Sequence, residues 1–146
     1  MARNCRFAVS VHVCAILALN EGSPATSDWI AKSVNTNPVV VRRILSALNK
    51  AGLVKSLRGI SGGSVLARAS DAVTLLDVAR AVDEDDGPSL HHQEPDKNCP
   101  VGAYIQPVLT DIIMQADAAR DRELAKVTLA EVVGRLLQKG SEALAS

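Results

Sequence analysis

The sequence predicts a mainly α-helical fold with one small β-hairpin. Three observations lead there: apolar residues recur at three-to-four-residue intervals over most of the chain, two short β-prone runs flank a single glycine-rich turn, and helix-capping residues stand where each periodic run begins.

Phe7 to Leu19 is the first periodic run, with Phe7, Val11, Cys14 or Ala15, and Ala18 or Leu19 on one face. Glu21-Gly22-Ser23-Pro24 ends it, and Ser27 offers an N-cap for a short helix carrying Trp29, Ile30 and Val34. Trp29 is expected in the core there. Asn35-Thr36-Asn37 interrupts that helix, and the next starts at once: Asn37 caps, and Pro38 takes the first helical position, where its missing N–H costs nothing. This helix runs to Lys50 and closes at Gly52, a residue suited to a left-handed cap. Val41, Ile44, Leu45 and Leu48 share its inner face, leaving Val39, Arg42, Arg43, Ser46, Asn49 and Lys50 pointing away, with Val40 at the margin.

Leu53–Leu57 and Ser64–Leu66 follow as two short strands joined by Arg58-Gly59-Ile60-Ser61-Gly62-Gly63. The Gly-x-x-Gly-Gly spacing lacks the Lys-Ser/Thr pair and following helix of a nucleotide-binding loop, so the turn is read as a hairpin wing. Thr74 caps a helix from Leu75 to about Glu84, in which Leu75, Val78, Ala79 and Val82 pack inward. Asp85-Asp86-Gly87-Pro88 and Glu94-Pro95-Asp96 mark a linker. A long helix is predicted from Pro100 to Lys126, bent or restarted at Pro107, and Thr128 caps a last one.

Two helices across a tight polar turn, the second cationic, followed by a hairpin, outline a winged helix-turn-helix with a long C-terminal helix behind it. Charge agrees with that division. Residues 1–70 hold nine Lys or Arg and two acids, a balance of +7, whereas the remainder holds seven and fourteen, a balance of −7. A basic half fits a polyanionic partner. Domains are therefore expected at 1–82 (winged helix-turn-helix, DNA-binding), 83–98 (linker) and 99–146 (helical region).

Other function classes find less in the sequence. No apolar run approaches the roughly 20 residues of a membrane span, so a cytoplasmic protein without membrane partners is expected. Three cysteines, Cys5, Cys14 and Cys99, make a poor disulfide framework. The carboxylate-dense Asp83-Glu84-Asp85-Asp86 has no accompanying Ser/His/Asp or metal-ligand spacing, so an enzyme is not expected, nor a metal or cofactor. A winged-helix protein-interaction module controlling a metabolic enzyme is the alternative. It calls for an acidic or apolar surface on the second helix of the motif, where Arg42, Arg43 and Lys50 stand instead.

The chain resembles the Rrf-type (IscR/NsrR/CymR-like) bacterial transcriptional regulators. The resemblance rests on Phe7-Ala8-Val9, the stretch Val39 to Gly52, Leu53-Val54, Arg58-Gly59-Ile60-Ser61-Gly62-Gly63, Thr74-Leu75-Leu76-Asp77-Val78 and Thr128-Leu129-Ala130-Glu131-Val132. Asn37 to Arg43 together with Cys99-Pro100-Val101-Gly102 is most similar to the YwnA-like branch. The resemblance implies a homodimer joined through its long helices, reading one palindromic operator of double-stranded DNA, usually as a repressor. It also implies a dimerisation role for the helical region 99–146 and a sensor loop before the long helix, at the 83–98 linker. Members that bind an iron–sulfur cluster place three cysteines there, and this chain has Cys99 alone, so no conventional cluster is expected.

The residues expected at DNA are Thr36, Asn37, Val39, Val40, Arg42, Arg43 and Ser46 in the major groove, with Arg58, Gly59, Ser61, Gly62 and Gly63 at a minor groove or phosphates. Tyr104, Val108, Ile112 and Ala116 form the stripe expected at a dimer interface. Cys99, at the start of the long helix, is either a redox-sensing thiol or a structural, cap-like residue. Cys14 is expected in the core, His91 and His92 in solvent, and His12 without a partner.

Overall fold

The computed structural model describes residues 5–82 and 88–145. The mainly α fold with a two-stranded hairpin is the one expected. Its elements are α1 (Arg6–Leu19), α2 (Ser27–Val34), α3 (Pro38–Lys50), β1 (Val54–Leu57), β2 (Gly63–Leu66), a 3-10 turn (Ser70–Ala72), α4 (Leu75–Ala81), α5 (Pro100–Ala125) and α6 (Leu129–Ala145).

The chain forms two compact units. The first unites residues 1–83 with 125–146, and the second comprises residues 84–124. The last helix therefore packs with the winged half. The cause is a long-range clamp: Thr74 and Thr128 pair across an isolated antiparallel bridge, Leu75 N donates to Val127 O at 2.9 Å, Leu129 N donates to Val73 O at 2.9 Å, and Leu129 is fully buried.

In the first unit the core is built from one face of each helix. Val13, Cys14, Ile16 and Leu17 of α1 meet Ile30 and Ala31 of α2, Val41, Ile44 and Leu48 of α3, and Val73, Val78 and Leu129. Trp29 is half exposed rather than part of this core. In a helix of only two turns, Ile30, Ala31 and the half-buried Val34 fill the inward face, and the neighbouring Trp29 is carried round toward solvent. His12 also differs from expectation, because its Nε2 lies 3.0 Å from Ser33 Oγ and ties α1 to α2.

The caps explain the element boundaries. Thr26, one residue ahead of the expected Ser27, caps α2 by accepting from Trp29 N. Asn35 then turns the chain in a left-handed conformation at φ 61°, which Asn tolerates better than most residues. Asn37 Oδ1 accepts from Val39 N at 2.9 Å and Pro38 opens α3, while Gly52 takes φ 75° beyond its end. Thr74 and Asp77 form a reciprocal capping box at α4. That helix ends at Ala81, and its expected end near Glu84 lies outside the described residues, as do Asp83, Asp85, Asp86 and Gly87.

The second unit contains a segment without helix or strand, 88–98, with bends at 92–93 and a turn at 97–98, and the body of α5. The helix passes through Pro107 without a restart. It contains no buried residue, and Tyr104, Val108, Ile112 and Ala116 are all exposed.

Candidate nucleic-acid interface

The hairpin pairs β1 with β2 antiparallel, Val54 opposite Leu66 and Leu57 opposite Gly63. Its root is fastened to the segment ahead of α2: Ala25 N donates to Ser64 O at 3.0 Å, and Ser64 N donates to Ala25 O at 2.8 Å. Gly63 is required there, because a Cβ at this position would stand 2.6 Å from the Ala25 carbonyl oxygen. The wing is thus held at a fixed place beside α2 and α3.

Between them lies an open groove of about 790 Å³. Arg42, Ser46, Asn49 and Lys50 of α3 line one wall, and Arg58, Gly59, Gly62 and Gly63 of the wing line the other. Six of the twelve residues expected at DNA therefore border one concavity, with Thr26 and Ser27 at the start of α2 closing its end. The rest lie outside it: Val39, Val40 and Arg43 are exposed on α3, Thr36 is half-buried in the turn, and Ser61 is at the wing tip. Asn37 is exposed but has its carbonyl oxygen engaged in the α3 cap. Asn49 and Lys50 were legible as outward-facing positions of α3. Asp28, whose carboxylate stands 3.9 Å from the Arg42 guanidinium, was not, since nothing local to its sequence names its partner.

The electrostatics favour an anion. Arg43, Lys50, Lys55 and Arg58 have no carboxylate within ion-pair distance among the described residues, leaving their charge to the solvent-facing side. Val39 and Val40 are exposed beside Arg42 and Arg43 on the same helix.

The whole arrangement matches known proteins. The model of the Rrf2 family, described as an iron-dependent transcriptional regulator, matches residues 3–135. The chain belongs to the Rrf2 family. YwnA of Bacillus subtilis is 38% identical over 133 residues, covering 91% of this chain and 98% of YwnA. CymR of the same organism, an HTH-type transcriptional regulator, is 38% identical over 84 residues, 56% of this chain and 61% of its own. The solved structure of that CymR, 24% identical, superposes with a TM-score of 0.69 over 92% of this chain and 98% of that one, which shows the shared fold.

Iron dependence in an Rrf2 protein needs a donor set, and the described residues of this one do not supply it. No three His, Cys, Asp or Glu side chains converge among them. His91, His92 and Cys99 are each exposed, and Cys14 is sealed in the core. An iron ion normally takes several such ligands and a cluster several thiolates, so this set fits neither.

The two thiols differ sharply. Burial pushes Cys14 up to about 12. Cys99 is held below the ordinary thiol value by hydrogen bonds from the backbone N–H groups of Gly102 and Val101, in the first turn of α5. The loop that delivers it is closed locally: Asn98 N donates to the Asp96 carboxylate, Cys99 N to Asp96 O, and Gly102 leaves room for the Asp96 carbonyl where a Cβ would collide with it.

No helix among the described residues is long and apolar enough to cross a membrane.

Proposed function

We propose that this Rrf2 protein is a sequence-specific repressor that binds a palindromic operator as a homodimer, with α3 in the major groove and the wing at an adjacent minor groove. The observation that carries this reading is the groove shared by α3 and the wing, with Arg42 and Lys50 on one side and Arg58 among glycines on the other. Thr36, Asn37, Val39, Val40, Arg43 and Ser46 extend the contact along α3, and Ser61 along the wing. Residues 1–82 are the DNA-binding region, and 83–98 form a linker or sensor loop.

The exposed stripe Tyr104, Val108, Ile112 and Ala116 supports dimerisation through α5, since side chains of this size gain by leaving water against a second copy. Cys99, exposed and with its thiol held below the ordinary value by the backbone N–H groups of Gly102 and Val101, is the candidate for redox sensing. The reading assigns the chain no catalytic role and places it in the cytoplasm.

Selection of bound sequences from a random duplex pool tests it. The expected product is a palindrome with half-sites about one helical turn apart, bound with an affinity that falls steeply as salt rises. Equal affinity for all duplexes, or affinity indifferent to salt, overturns the reading. Sedimentation of the full chain at micromolar concentration tests the dimer, and a single monomeric species overturns it.

A further inference from the structure

At the tip of the wing stands a side chain that neither the charge argument nor the groove accounts for. Gly62 N donates to Gly59 O at 3.0 Å, closing a four-residue turn with Ile60 and Ser61 at its two central positions. Such positions favour Pro, Gly, Asn, Asp or Ser, each for a conformational or hydrogen-bonding reason that a β-branched apolar residue does not share. The relative exposure of Ile60 is 109%, above that of every other large hydrophobic side chain among the described residues. Folding gives it nothing to pack against.

The tip is also firm and slim. A Cβ at Gly62 would collide with Leu57 O and Gly59 O, and one at Gly63 with Ala25, so the turn is folded back onto its own backbone and the wing root onto the chain before α2. Glycines at 59, 62 and 63 remove the side chains that would otherwise broaden it. What remains is a narrow backbone loop carrying one isoleucine at its corner, with Arg58 at its base for the flanking phosphates. A minor groove about 6 Å wide admits such a shape and offers it apolar sugar walls. Apolar side chains inserted there are an established means of contact with duplex DNA.

We propose that Ile60 is a specificity-determining residue: it seats in the minor groove beside each half-site and selects A·T over G·C pairs there. The discrimination comes from the cost of burying a polar donor against an apolar side chain. In the minor groove a G·C pair adds the guanine N2 amino group, which A·T pairs lack, and an isoleucine has no acceptor with which to receive its hydrogens. Buried against that group, the side chain would leave a donor unpaired. The inference rests on the DNA-binding reading and adds to it a contact with no charge.

The experiment uses the full chain and the duplex selected by the wild type, in three forms: the pairs under the wing as A·T, as G·C, or as inosine·C, which keeps the major-groove acceptors of G·C but removes the N2 amino group. Wild type is expected to bind the G·C form about tenfold more weakly than the A·T form and to recover on inosine·C. Ile60→Ala is expected to bind the A·T form about tenfold more weakly than wild type, to treat all three duplexes alike, and to keep the wild-type salt slope and melting temperature. An Ile60→Ala protein with wild-type affinity and preference overturns the inference alone, as does wild-type failure to recover on inosine·C. Wild-type protein that binds no duplex in a salt-dependent way overturns the DNA reading along with it.

Discussion

Asp28 holds its carboxylate 3.9 Å from the guanidinium of Arg42, joining the first turn of α2 to the outer face of α3. It is one of two acids in the first 70 residues, and it stands beside the face where an anion is expected to dock. Its charge suits the N-terminus of α2. An exposed pair of this kind contributes at most about 1 kcal/mol to folding, so its larger consequence is on Arg42: a guanidinium engaged by a carboxylate is less free to settle on any passing phosphate.

Asp28→Asn is accordingly expected to leave the melting temperature nearly unchanged, to raise affinity for scrambled duplexes several-fold, and to narrow the gap between operator and scrambled DNA. Parallel titrations of the two duplexes check this. A variant that keeps the wild-type ratio would show that Asp28 serves the α2 terminus alone.

Arg43 and Arg58 are both exposed, but the first stands on α3 and the second on the wing, and under the proposed reading their losses should differ in kind. Arg43→Ala is expected to cost about 1–3 kcal/mol on the operator and to relax preference at one base position, as the loss of a bidentate guanine contact does. Arg58→Ala is expected to weaken all duplexes together and to lower the salt slope by about one, as the loss of a phosphate contact does. Salt titrations on matched and scrambled duplexes separate the two. Interchanged behaviour would move Arg58 to base reading and Arg43 to the backbone.

Much of the first unit was legible because its determinants are local. Asn37-Pro38, Gly52 and Thr74 fix the ends of α3 and α4 through bonds and dihedrals within a few residues, and those ends emerge where their chemistry puts them. Trp29 was misplaced because two helical turns leave the choice between adjacent apolar positions to the neighbouring helices. The attachment of α6 was invisible for a related reason: the pairing of Thr74 with Thr128 joins residues far apart in sequence, and no periodicity marks one as the partner of the other. The same holds for His12 with Ser33 and Asp28 with Arg42. Charge segregation identified the cationic wall of the groove, but not the acid placed against it.

Two glycines with opposite surroundings predict opposite stability changes. Gly63→Ala places a Cβ 2.6 Å from the backbone of Ala25 and must push the wing root away from the segment before α2. A loss of about 1–3 kcal/mol is expected, together with weaker DNA binding. Gly134 lies inside α6 with nothing within 4 Å of an added Cβ. Gly134→Ala is expected to stabilise by about 0.5–1 kcal/mol, since alanine surrenders less backbone freedom on entering a helix. Thermal or urea unfolding measures both, and a stabilised Gly63→Ala protein would contradict the anchored wing.

Cys99 and Cys14 should part company in their chemistry with electrophiles. The thiolate is the reacting species, and its fraction at a given pH depends on how far the thiol pKa lies from that pH. Backbone N–H groups of Gly102 and Val101 stabilise the anion of Cys99, so its pKa is depressed and its reaction rate with iodoacetamide is expected to rise at a lower pH than that of a free cysteine. The sign for stability is the same: the folded state favours the thiolate, so this contribution is present above the unfolded pKa and is lost as pH falls through the folded value. Cys14, buried and pushed up to about 12, should remain unlabelled near neutrality until the chain unfolds. Mass spectrometry of peptides after timed alkylation across a pH series reads both sites in one sample. A Cys99 profile that coincides with that of free cysteine would remove the hydrogen-bonded thiolate, and with it the physical basis for sensing at this loop. If the profile is shifted as expected, operator affinity measured before and after peroxide treatment of wild type and Cys99→Ser decides whether the reactive thiol is coupled to DNA. Loss of affinity in the wild type alone is the outcome the sensing role requires, and equal responses would leave Cys99 as a cap of α5.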